Sequence, residues 1–332
     1  MSVEEFAEEN ARPAEKTSTV IRVKGRNIVV PTAKVGGRSV ILTGSLLKVA
    51  RIFDEDLVEG EAVASPGAFV ANLQKSALRA DVLTFAQRPP DITPRFNESF
   101  EWDNWAIAPT SSFQEWWEKL PQESRKNVRR SAKRGVTVRE ALFDTKFVQG
   151  IRGIYNETPC RQGKRFWHYG KDEAAVRLEN GTYLDRSIFV GAFCDETLIG
   201  FIKMIRVNHL AVLIQILAKS EHHDKRPMNA LLAHAIEICE HRNIRGLVYG
   251  NYVYGKKNDS SLTEFKRRNG FEKVDFPRYY IPISVKGKLA ISLGLHRGLR
   301  NLIPKRLNDL ILGCRRRILR KINISAVSET AT

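Results

Sequence analysis

The sequence predicts a mixed α/β (α+β) protein in which sheets are flanked by helices. Its 332 residues are 42% hydrophobic and 27% charged, which is ordinary for globular domains. The runs Ser187–Cys194, Leu198–Val207 and Leu210–Ala218 are apolar, rich in β-branched residues and separated by short polar turns. Short turns require antiparallel neighbours, so these runs predict a meander. Segments before and after the meander have apolar residues at helical spacing, and these predicted helices make the fold class mixed.

The first half of the chain is also predicted to be mixed α/β. Met1 to Thr19 holds five acidic residues against Arg12 and Lys16 and has no apolar core, so we expect a disordered arm rather than a targeting peptide. Strands are expected where β-branched and apolar residues cluster, and a helix where apolar residues recur at helical spacing. The expected strands are Val20–Val23, Asn27–Pro31, Arg38–Leu42, Asp81–Phe85 and Trp105–Ala108, and the expected helix is Ala68–Ala77.

A strongly basic helix is predicted at the end of the first half. Phe113 to Leu120 opens a helical stretch that continues to Gly135, where the helix stops. Its cations fall within one half of the helix circumference, with Val128 and Ala132 opposite. These cations are Arg125, Lys126, Arg129, Arg130, Lys133 and Arg134. The pattern predicts one edge against protein and a basic face outward, and a merely solvated face is the alternative.

From Val136 onward the predicted elements follow a regular order. A strand, a helix, a polar loop from Thr158 to Gly170 and a second helix precede the meander. Pro227 then stands where a helix can begin without needing its own amide hydrogen bond. A strand parallel to the last strand of the meander, another helix and a closing strand follow. The predicted bounds are Val136–Glu140, Lys146–Asn156, Asp172–Leu178, Gly246–Val253 and Phe276–Ser284, with Phe265 and Lys266 in the last helix before Asn269 and Gly270.

This order, β-α-α-β-β-β-α-β-α-β, resembles the GNAT acyltransferase fold, in which the parallel fourth and fifth strands splay apart around the acyl donor. Two segments are similar to FemAB-type proteins, which join two GNAT-like halves. They are the basic helix from Glu123 to Arg134 and the Phe265-Lys266 pair. The resemblance implies a tandem GNAT-like fold, with halves at 20–135 and 136–285. A disordered arm at 1–19 would precede them, and a basic helical tail at 286–332 would follow.

The resemblance also implies an activity. FemAB-type and GNAT proteins suggest an N-acyltransferase that moves an acyl or aminoacyl group to an amine of a sugar or peptide in envelope or polysaccharide biosynthesis. The donor would be an acyl-CoA, such as acetyl-CoA, or an aminoacyl-tRNA, and both remain open. By analogy Lys266 would stabilise the carbonyl oxyanion and Phe265 would pack beside it. The alternative is a surface lysine in a Lys-Arg-Arg run beside a core phenylalanine.

The donor site in GNAT enzymes is a glycine-rich loop at the start of the helix after the fourth strand, with the pattern Gln/Arg-x-x-Gly-x-Gly/Ala. Free N–H groups and the positive helix end hold the pyrophosphate there. In the matching stretch of this chain, Met228 replaces the central glycine and Pro227 removes a donor. This departure counts against an ordinary acetyltransferase. The candidate donor-binding residues are Lys225, Arg226 and Asn229.

The polar loop between the first two helices of the second half is where this fold receives its acceptor. Arg161 can bind a carboxylate or phosphate, and Trp167 and Tyr169 offer stacking faces. Gln215 replaces the carboxylate base that some GNAT enzymes carry, so deprotonation of the amine would rely on His168, a tyrosine or water. Each residue has a structural alternative. The other candidates are Gln162, Tyr249 and Asn251 for substrate binding and Tyr254 for catalysis.

The net charge of +17 favours anionic partners such as nucleic acid, phosphorylated substrates or an anionic membrane surface. Between Lys286 and Lys321, eleven Lys and Arg residues stand against Asp309, among apolar residues that suggest a basic amphipathic helix. This tail would contact lipid, RNA or the first half, and membrane contact would suit a lipid-linked acceptor. The competing class for the whole chain is therefore a non-catalytic RNA-binding or membrane-surface protein.

The cysteines and the lack of a long apolar run predict a reduced, cytoplasmic protein. The basic tail adds the alternative of peripheral contact with the inner face of the membrane. No apolar run in the sequence has the length of a membrane span. The cysteines lack zinc or disulfide spacing, and we expect them to be buried and no metal to be bound. No Ser-His-Asp pattern, Walker loop or dinucleotide fingerprint appears. The cysteines are Cys160, Cys194, Cys239 and Cys314.

Overall fold

The first half of the chain consists mainly of strands. The computed structural model describes residues 17–23, 26–161, 163–255 and 260–297. Residues 17–19, predicted within a disordered arm, belong instead to the first strand, because they pair with the second strand. Residues 1–16 lie outside the described part. The elements are β1 (Thr17–Val23), β2 (Arg26–Val35), β3 (Arg38–Thr43), β4 (Val49–Ile52), α1 (Pro66–Lys75), β5 (Val82–Ala86) and β6 (Phe100–Pro109).

Two helices take the place of the single predicted basic helix, because Pro121 separates them. They are α2 (Phe113–Lys119) and α3 (Gln122–Lys133). Helix α3 buries Ser124 and Ser131 and packs Val128 against the core, whereas Ala132 is exposed. The prediction for Ala132 is therefore wrong. The edge of α3 that packs against the protein is formed by Ser124, Val128 and Ser131. Gly135 follows the end of α3 with a φ of 75°, as predicted for the stop.

The second half has the predicted order of elements. A two-strand hairpin within the polar loop is additional. Helix α6 begins at Pro227, as predicted. The elements are β7 (Val136–Ala141), α4 (Thr145–Tyr155), β8 (Cys160–Arg161), β9 (Lys164–Arg165), α5 (Glu173–Asn180), β10 (Ser187–Cys194), β11 (Thr197–Val207), β12 (Leu210–Ala218), α6 (Pro227–His241), β13 (Gly246–Val248), α7 (Ser261–Arg268), β14 (Glu272–Pro282) and α8 (Val285–Ser292).

A single mixed sheet runs through both halves. In the described part of the chain it contains twelve strands in the order β1-β2-β3-β4-β5-β14-β6-β13-β12-β11-β10-β7. The pairs β4–β5 and β12–β13 are parallel, and the other neighbouring pairs are antiparallel. Strands β10, β11 and β12 form the predicted meander. The mixed sheet flanked by helices is thus confirmed, and it is continuous across the two halves.

The halves exchange strands at the centre of this sheet. Strand β14, from the second half, lies between β5 and β6, and β6, from the first half, lies between β14 and β13. Reading outward from the β14–β6 pair, each side continues through one antiparallel partner to a parallel pair. The strand arrangement is therefore pseudo-symmetric, and each half completes the other.

Helices cover both faces of the second half. Leu231 and Ile236 of α6 join Trp116 of α2 in one core cluster, whereas Phe147 and Ile151 of α4 join a second cluster on the opposite face. Side chains alternate between the two faces of a strand, so β10 to β12 contribute to both clusters. The sheet is consequently buried on both sides beside the site described below.

The predicted basic tail is described as far as residue 297, and residues 298–332 lie outside. Its first part docks on the sheet, since Arg297 donates to Glu101 of β6 at 2.6 Å. Across the described residues, no helix combines the length and apolar character that a membrane span requires. Cys194 and Cys239 are buried as predicted, but Cys160 is exposed because it lies in the small β8–β9 hairpin. Cys314 falls outside the described residues.

Candidate active site

The two parallel strands of the second half diverge. Strands β12 and β13 pair through Leu210 to Val212 and Gly246 to Val248 and then separate. Beyond that point the chain stays with β6, because Tyr249 N–H donates to the carbonyl of Ala106 at 2.8 Å. Strand β13 is therefore shorter than the predicted Gly246–Val253. The divergence opens a gap in the middle of an otherwise paired sheet.

A β-bulge on β12 lies beside this gap. Lys203 pairs with Gln215 and Met204 with Leu213, so Ile214 has no partner on β11. A bulge bends its strand and redirects a side chain. Ile214 is accordingly 45% exposed within a strand that is otherwise mostly buried. The bulge thus places unpaired backbone at the edge of the gap.

Lys266 lies in the interior beside the loop that follows β13. Helix α7 is fixed at its start by the Ser260 hydroxyl, which accepts from Thr263 N–H at 3.0 Å. Lys266 is fully buried, and its Nζ donates to the carbonyl oxygen of Asn251 at 2.6 Å. The ammonium also lies 4.6 Å from the ring centre of Tyr249 and 4.9 Å from that of Tyr254. Burial lowers the pKa of Lys266 to about 8.

Because Lys266 is buried, it is not the surface lysine that the sequence allowed as an alternative. The neighbouring arginines of the Lys-Arg-Arg run are exposed and pair with Glu264, whereas Lys266 turns inward. Phe265 is partly buried and packs against the core beside it. A desolvated ammonium interacts more strongly with a developing negative charge than a hydrated one does.

A large cavity opens next to the gap. Its volume is about 770 Å³, and both halves of the chain line it. The second half contributes the bulge and the loop after β13, including Asn251. The first half contributes a short 3-10 helix, Glu55–Leu57, and the start of β6. Its charged and aromatic lining consists of Arg51, Asp54, Glu55, Asp56, Glu101, Trp102, Asp103, Arg278 and Tyr280.

The cavity wall is acidic, in contrast to the chain as a whole. Arg278 donates to Glu55 at 2.9 Å and to Asp103 at 2.8 Å. Burial of Arg278 acts to lower its pKa, but the two carboxylates outweigh burial and raise it. Asn251 also donates to Asp103 at 2.9 Å, which ties the loop after β13 to β6. Although the side chain of Asp56 is exposed to the open cavity, partial loss of hydration beside the cavity wall and the adjacent charge of Glu55 raise its pKa to about 6.

The predicted acceptor loop forms a separate polar network. His168 is 3% exposed, and its Nε2 lies 3.0 Å from Nε2 of Gln215. The Tyr155 hydroxyl donates to Oε1 of Gln215 at 2.8 Å and accepts from Nδ2 of Asn180 at 3.1 Å. Glu179 lies 3.3 Å from Nδ1 of His168; its pKa falls to about 2 because hydrogen bonds and nearby positive charges outweigh burial. The network joins α4, α5 and β12, and it lies outside the lining of the large cavity.

The other loop candidates differ in accessibility. Arg161 is committed to the protein, since it donates to the carbonyls of Ala218 at 2.9 Å and Ile154 at 3.0 Å and pairs with Glu157. Trp167 and Tyr169 are 48% and 47% exposed, as a stacking role requires. Gln162 lies outside the described residues. The catalytic or binding roles of all these residues stay predictions.

The start of α6 is the predicted donor site. Arg226 is exposed and takes a left-handed conformation (φ 56°) just before Pro227. Lys225 donates to Sγ of Cys194 at 3.0 Å, and Asn229 donates to Asn269 at 2.9 Å, so both side chains already have protein partners. A cavity of about 450 Å³ adjoins this helix end. Among the described residues, no side chain caps α6.

Several residues of the cavity wall are absent from the sequence predictions. Asp56, Asp103 and Arg278 reach the site from the 3-10 helix, β6 and β14. One signal for them exists in the sequence: three consecutive acids, Asp54 to Asp56, in a chain of net charge +17. Among the described residues, no group of three His, Cys, Asp or Glu side chains is arranged to hold a metal ion.

Comparison with known proteins identifies the superfamily. No protein-family model matches the sequence. A spermidine N(1)-acetyltransferase from Thermoplasma acidophilum is 34% identical over 123 residues, which are 37% of this chain and 73% of that protein. The crystal structure of FemX superposes with a TM-score of 0.55 at 10% identity, covering 85% of this chain and 90% of FemX; this likeness concerns the fold. The chain therefore belongs to the GNAT superfamily of acyltransferases, in the FemAB-like arrangement of two GNAT-like halves.

Proposed function

We propose that this protein is an N-acyltransferase that moves an acyl or aminoacyl group to an amine of a sugar or peptide acceptor. The observation that carries the proposal is the gap between β12 and β13, with the acidic cavity beside it and the buried ammonium of Lys266 bonded to Asn251 in the loop after β13. Acyl transfer needs a place for the acyl carbonyl, charge stabilisation for its oxyanion and access for an amine. The gap, Lys266 and the cavity supply these three requirements.

Lys266 is proposed to stabilise the oxyanion. A lysine ammonium has three N–H donors, and one of them goes to the carbonyl of Asn251. The other two are available to an oxygen that enters the gap. The faces of Tyr249 and Tyr254 hold the charge by cation–π attraction without neutralising it.

The donor is proposed to approach from the side of α6 and α7. Arg226, the exposed cations of α3 and the open end of α6 favour an anionic carrier, which both acyl-CoA and aminoacyl-tRNA provide. Pro227 removes one N–H group, which weakens a pyrophosphate cradle. Because the Thermoplasma relative is an acetyltransferase, acetyl-CoA is the first donor to test, and aminoacyl-tRNA is the second.

The acceptor is proposed to enter through the acidic cavity. Its carboxylates favour a substrate that carries positive charge near the reacting amine. A role in envelope or polysaccharide biosynthesis, with a lipid-linked acceptor at the inner face of the membrane, rests on the FemAB-like resemblance. Spermidine, which the name of the relative gives as its substrate, is a suitable first probe because it is an amine and a polycation.

The test combines turnover with one substitution. Lys266→Met removes the charge and keeps most of the volume, so the fold should survive. We expect kcat with acetyl-CoA or aminoacyl-tRNA and an amine to fall about 100- to 1000-fold, as for loss of an oxyanion donor. The melting temperature should change little.

Turnover by the wild type should also decline as the pH rises through about 8, where Lys266 loses its proton.

Two results would count against the proposal. Unchanged turnover in Lys266→Met would remove the oxyanion role of Lys266. The exposed cations of α3 favour a second candidate, a non-catalytic RNA-binding protein. Salt-sensitive RNA binding by the wild type, without acyl transfer from either donor, would support that candidate instead.

A further inference from the structure

The large cavity contains carboxylates in two different situations. Glu55 and Asp103 are held by Arg278, and Glu55 also accepts from Ala86 N–H at 2.7 Å. These bonds fix the positions of both carboxylates. Glu55 and Asp103 therefore already have protein partners.

Asp56 is in the other situation. It lies in the 3-10 helix Glu55–Leu57 and lines the large cavity as well as a smaller one of about 240 Å³. Within the described part of the chain, its carboxylate accepts no hydrogen bond and forms no ion pair. Its negative charge acts on the hydroxyl of Tyr254, whose ring lies over Lys266. Asp56 is thus an uncommitted base on the acceptor side of the gap.

We propose that Asp56 is the general base that deprotonates the acceptor amine. The proposal rests on the acyltransferase function proposed above and assigns a catalytic role to a residue of the first half. The sequence suggested His168, a tyrosine or water for deprotonation, and the structure places His168 in the interior network of Gln215 and Glu179. Asp56 instead lines the cavity through which the amine is proposed to enter.

The proton and electron balance is complete without a further reactant. The acceptor ammonium gives one proton to the Asp56 carboxylate, and the freed lone pair forms a C–N bond to the acyl carbon. The carbonyl electron pair moves to oxygen, where Lys266 stabilises it. The pair then returns and the C–S bond of the thioester breaks. The thiolate takes the second amine proton, and Asp56 releases its proton to solvent.

The environment of Asp56 suits this role. A general base is most effective when its pKa lies near the working pH, and the cavity wall raises the pKa of Asp56 to about 6. The carboxylate is thus ionised above that pH, and the rate should rise with pH through about 6. Glu55 and Asp103 favour the protonated form, while Arg278 and Arg88 oppose it. The titratable and charged groups that face it are Glu55, Asp103, Arg278, Arg88 and Tyr254.

The experiment compares Asp56→Asn with Asp185→Asn. Asp185 is 76% exposed and lies outside the large cavity, so it controls for loss of one carboxylate. With acetyl-CoA and spermidine, we expect kcat of Asp56→Asn to fall about 100- to 10,000-fold with little change in KM. The acidic limb of the wild-type kcat/KM profile near pH 6 should disappear. Asp56→Ala should regain part of its turnover when acetate is added as a small external base.

The outcomes separate the two proposals. An active wild type, an active Asp185→Asn and an equally active Asp56→Asn would overturn the role of Asp56 and leave the acyltransferase function standing. A raised KM at unchanged kcat would also overturn it, because Asp56 would then anchor the amine. A wild type that transfers no acyl group from acetyl-CoA or aminoacyl-tRNA would overturn both proposals.

Discussion

Among the described residues, two lysines are buried, and their hydrogen bonds differ. Burial lowers the pKa of both Lys203 and Lys266 to about 8. The ammonium of Lys203 donates to the carbonyls of Asn180 at 2.8 Å and Thr182 at 2.7 Å and to the Thr182 hydroxyl at 3.0 Å. All three of its donors are used. Lys266 donates one hydrogen bond within the described part of the chain, which leaves two N–H groups for the oxyanion of the proposed reaction.

Gly250 allows Tyr254 to lie close to Lys266. Its φ is +54°, and a β-carbon there would lie 2.8 Å from the Tyr254 hydroxyl oxygen. Gly37 is a matched control, since its φ is +74° and no atom lies within 4 Å of its β-position. Alanine at either site should lower the free energy of unfolding by about 1–2 kcal/mol through left-handed strain.

Gly250→Ala should additionally lower kcat by about 10- to 100-fold, because it displaces an aromatic group from the reacting centre. Gly37→Ala should keep the wild-type kcat. Steady-state kinetics with acetyl-CoA and spermidine, together with urea unfolding, measure both effects. Equal kcat values for the two variants would show that the position of Tyr254 is irrelevant to turnover.

At the scale of elements, local sequence patterns predicted most helices and strands of the second half. The features that they did not predict are fixed by pairing between strands distant in sequence. The meander and α6 follow from turns, apolar periodicity and Pro227, all of which act within a few residues. Strand β4 has four residues, too few to show a pattern, and is fixed by pairing with β3 and β5. The end of β13 was misplaced because the chain leaves β12 to follow β6.

The candidate site divides in the same way. Lys266 was predictable because a local helix signature contains it. Asp56 and Arg278 were not, because strands far apart in sequence bring them together: Arg278 reaches Glu55, 223 residues away. His168 was predicted as one possible base from its residue type and its position in the polar loop. The α4–α5 packing that buries it is a tertiary property that no short pattern records.

The network around His168 should stabilise the protein. Tyr155→Phe would remove the hydroxyl that donates to Oε1 of Gln215 at 2.8 Å and accepts from Asn180 at 3.1 Å, and Oε1 of Gln215 would lose this buried donor. An unsatisfied buried polar group costs about 1–3 kcal/mol, so we expect the free energy of unfolding to fall by that amount. Tyr169→Phe removes a hydroxyl from a side chain that is 47% exposed and should change little. Urea denaturation compares the two, and equal losses would contradict a stabilising network.

At the scale of the whole molecule, charge is divided between the two faces of the sheet. Ala106 and Ala108 of β6 pack with α6, so Asp103 and Trp105 point to the opposite face. The exposed cations of α3, whose Val128 packs in the same core cluster as α6, therefore lie on one face, and the acidic cavity lies on the other. In the proposed function, an anionic donor and a cationic acceptor would therefore approach the gap between β12 and β13 from opposite faces of the sheet.

The exchange of β6 and β14 should make the two halves unfold together. Tyr279 and Ile281 of β14 lie in the core of the first half, and Ala106 and Ala108 of β6 lie in that of the second. Cutting the chain after Gly135 would leave β5 and β6 without the strand between them. We expect the full chain to unfold in urea in one transition, with coincident tryptophan fluorescence and far-ultraviolet circular dichroism. Residues 17–135 alone should show no cooperative transition. Two separate transitions, or a stable isolated first half, would show that the shared strands do not couple the halves.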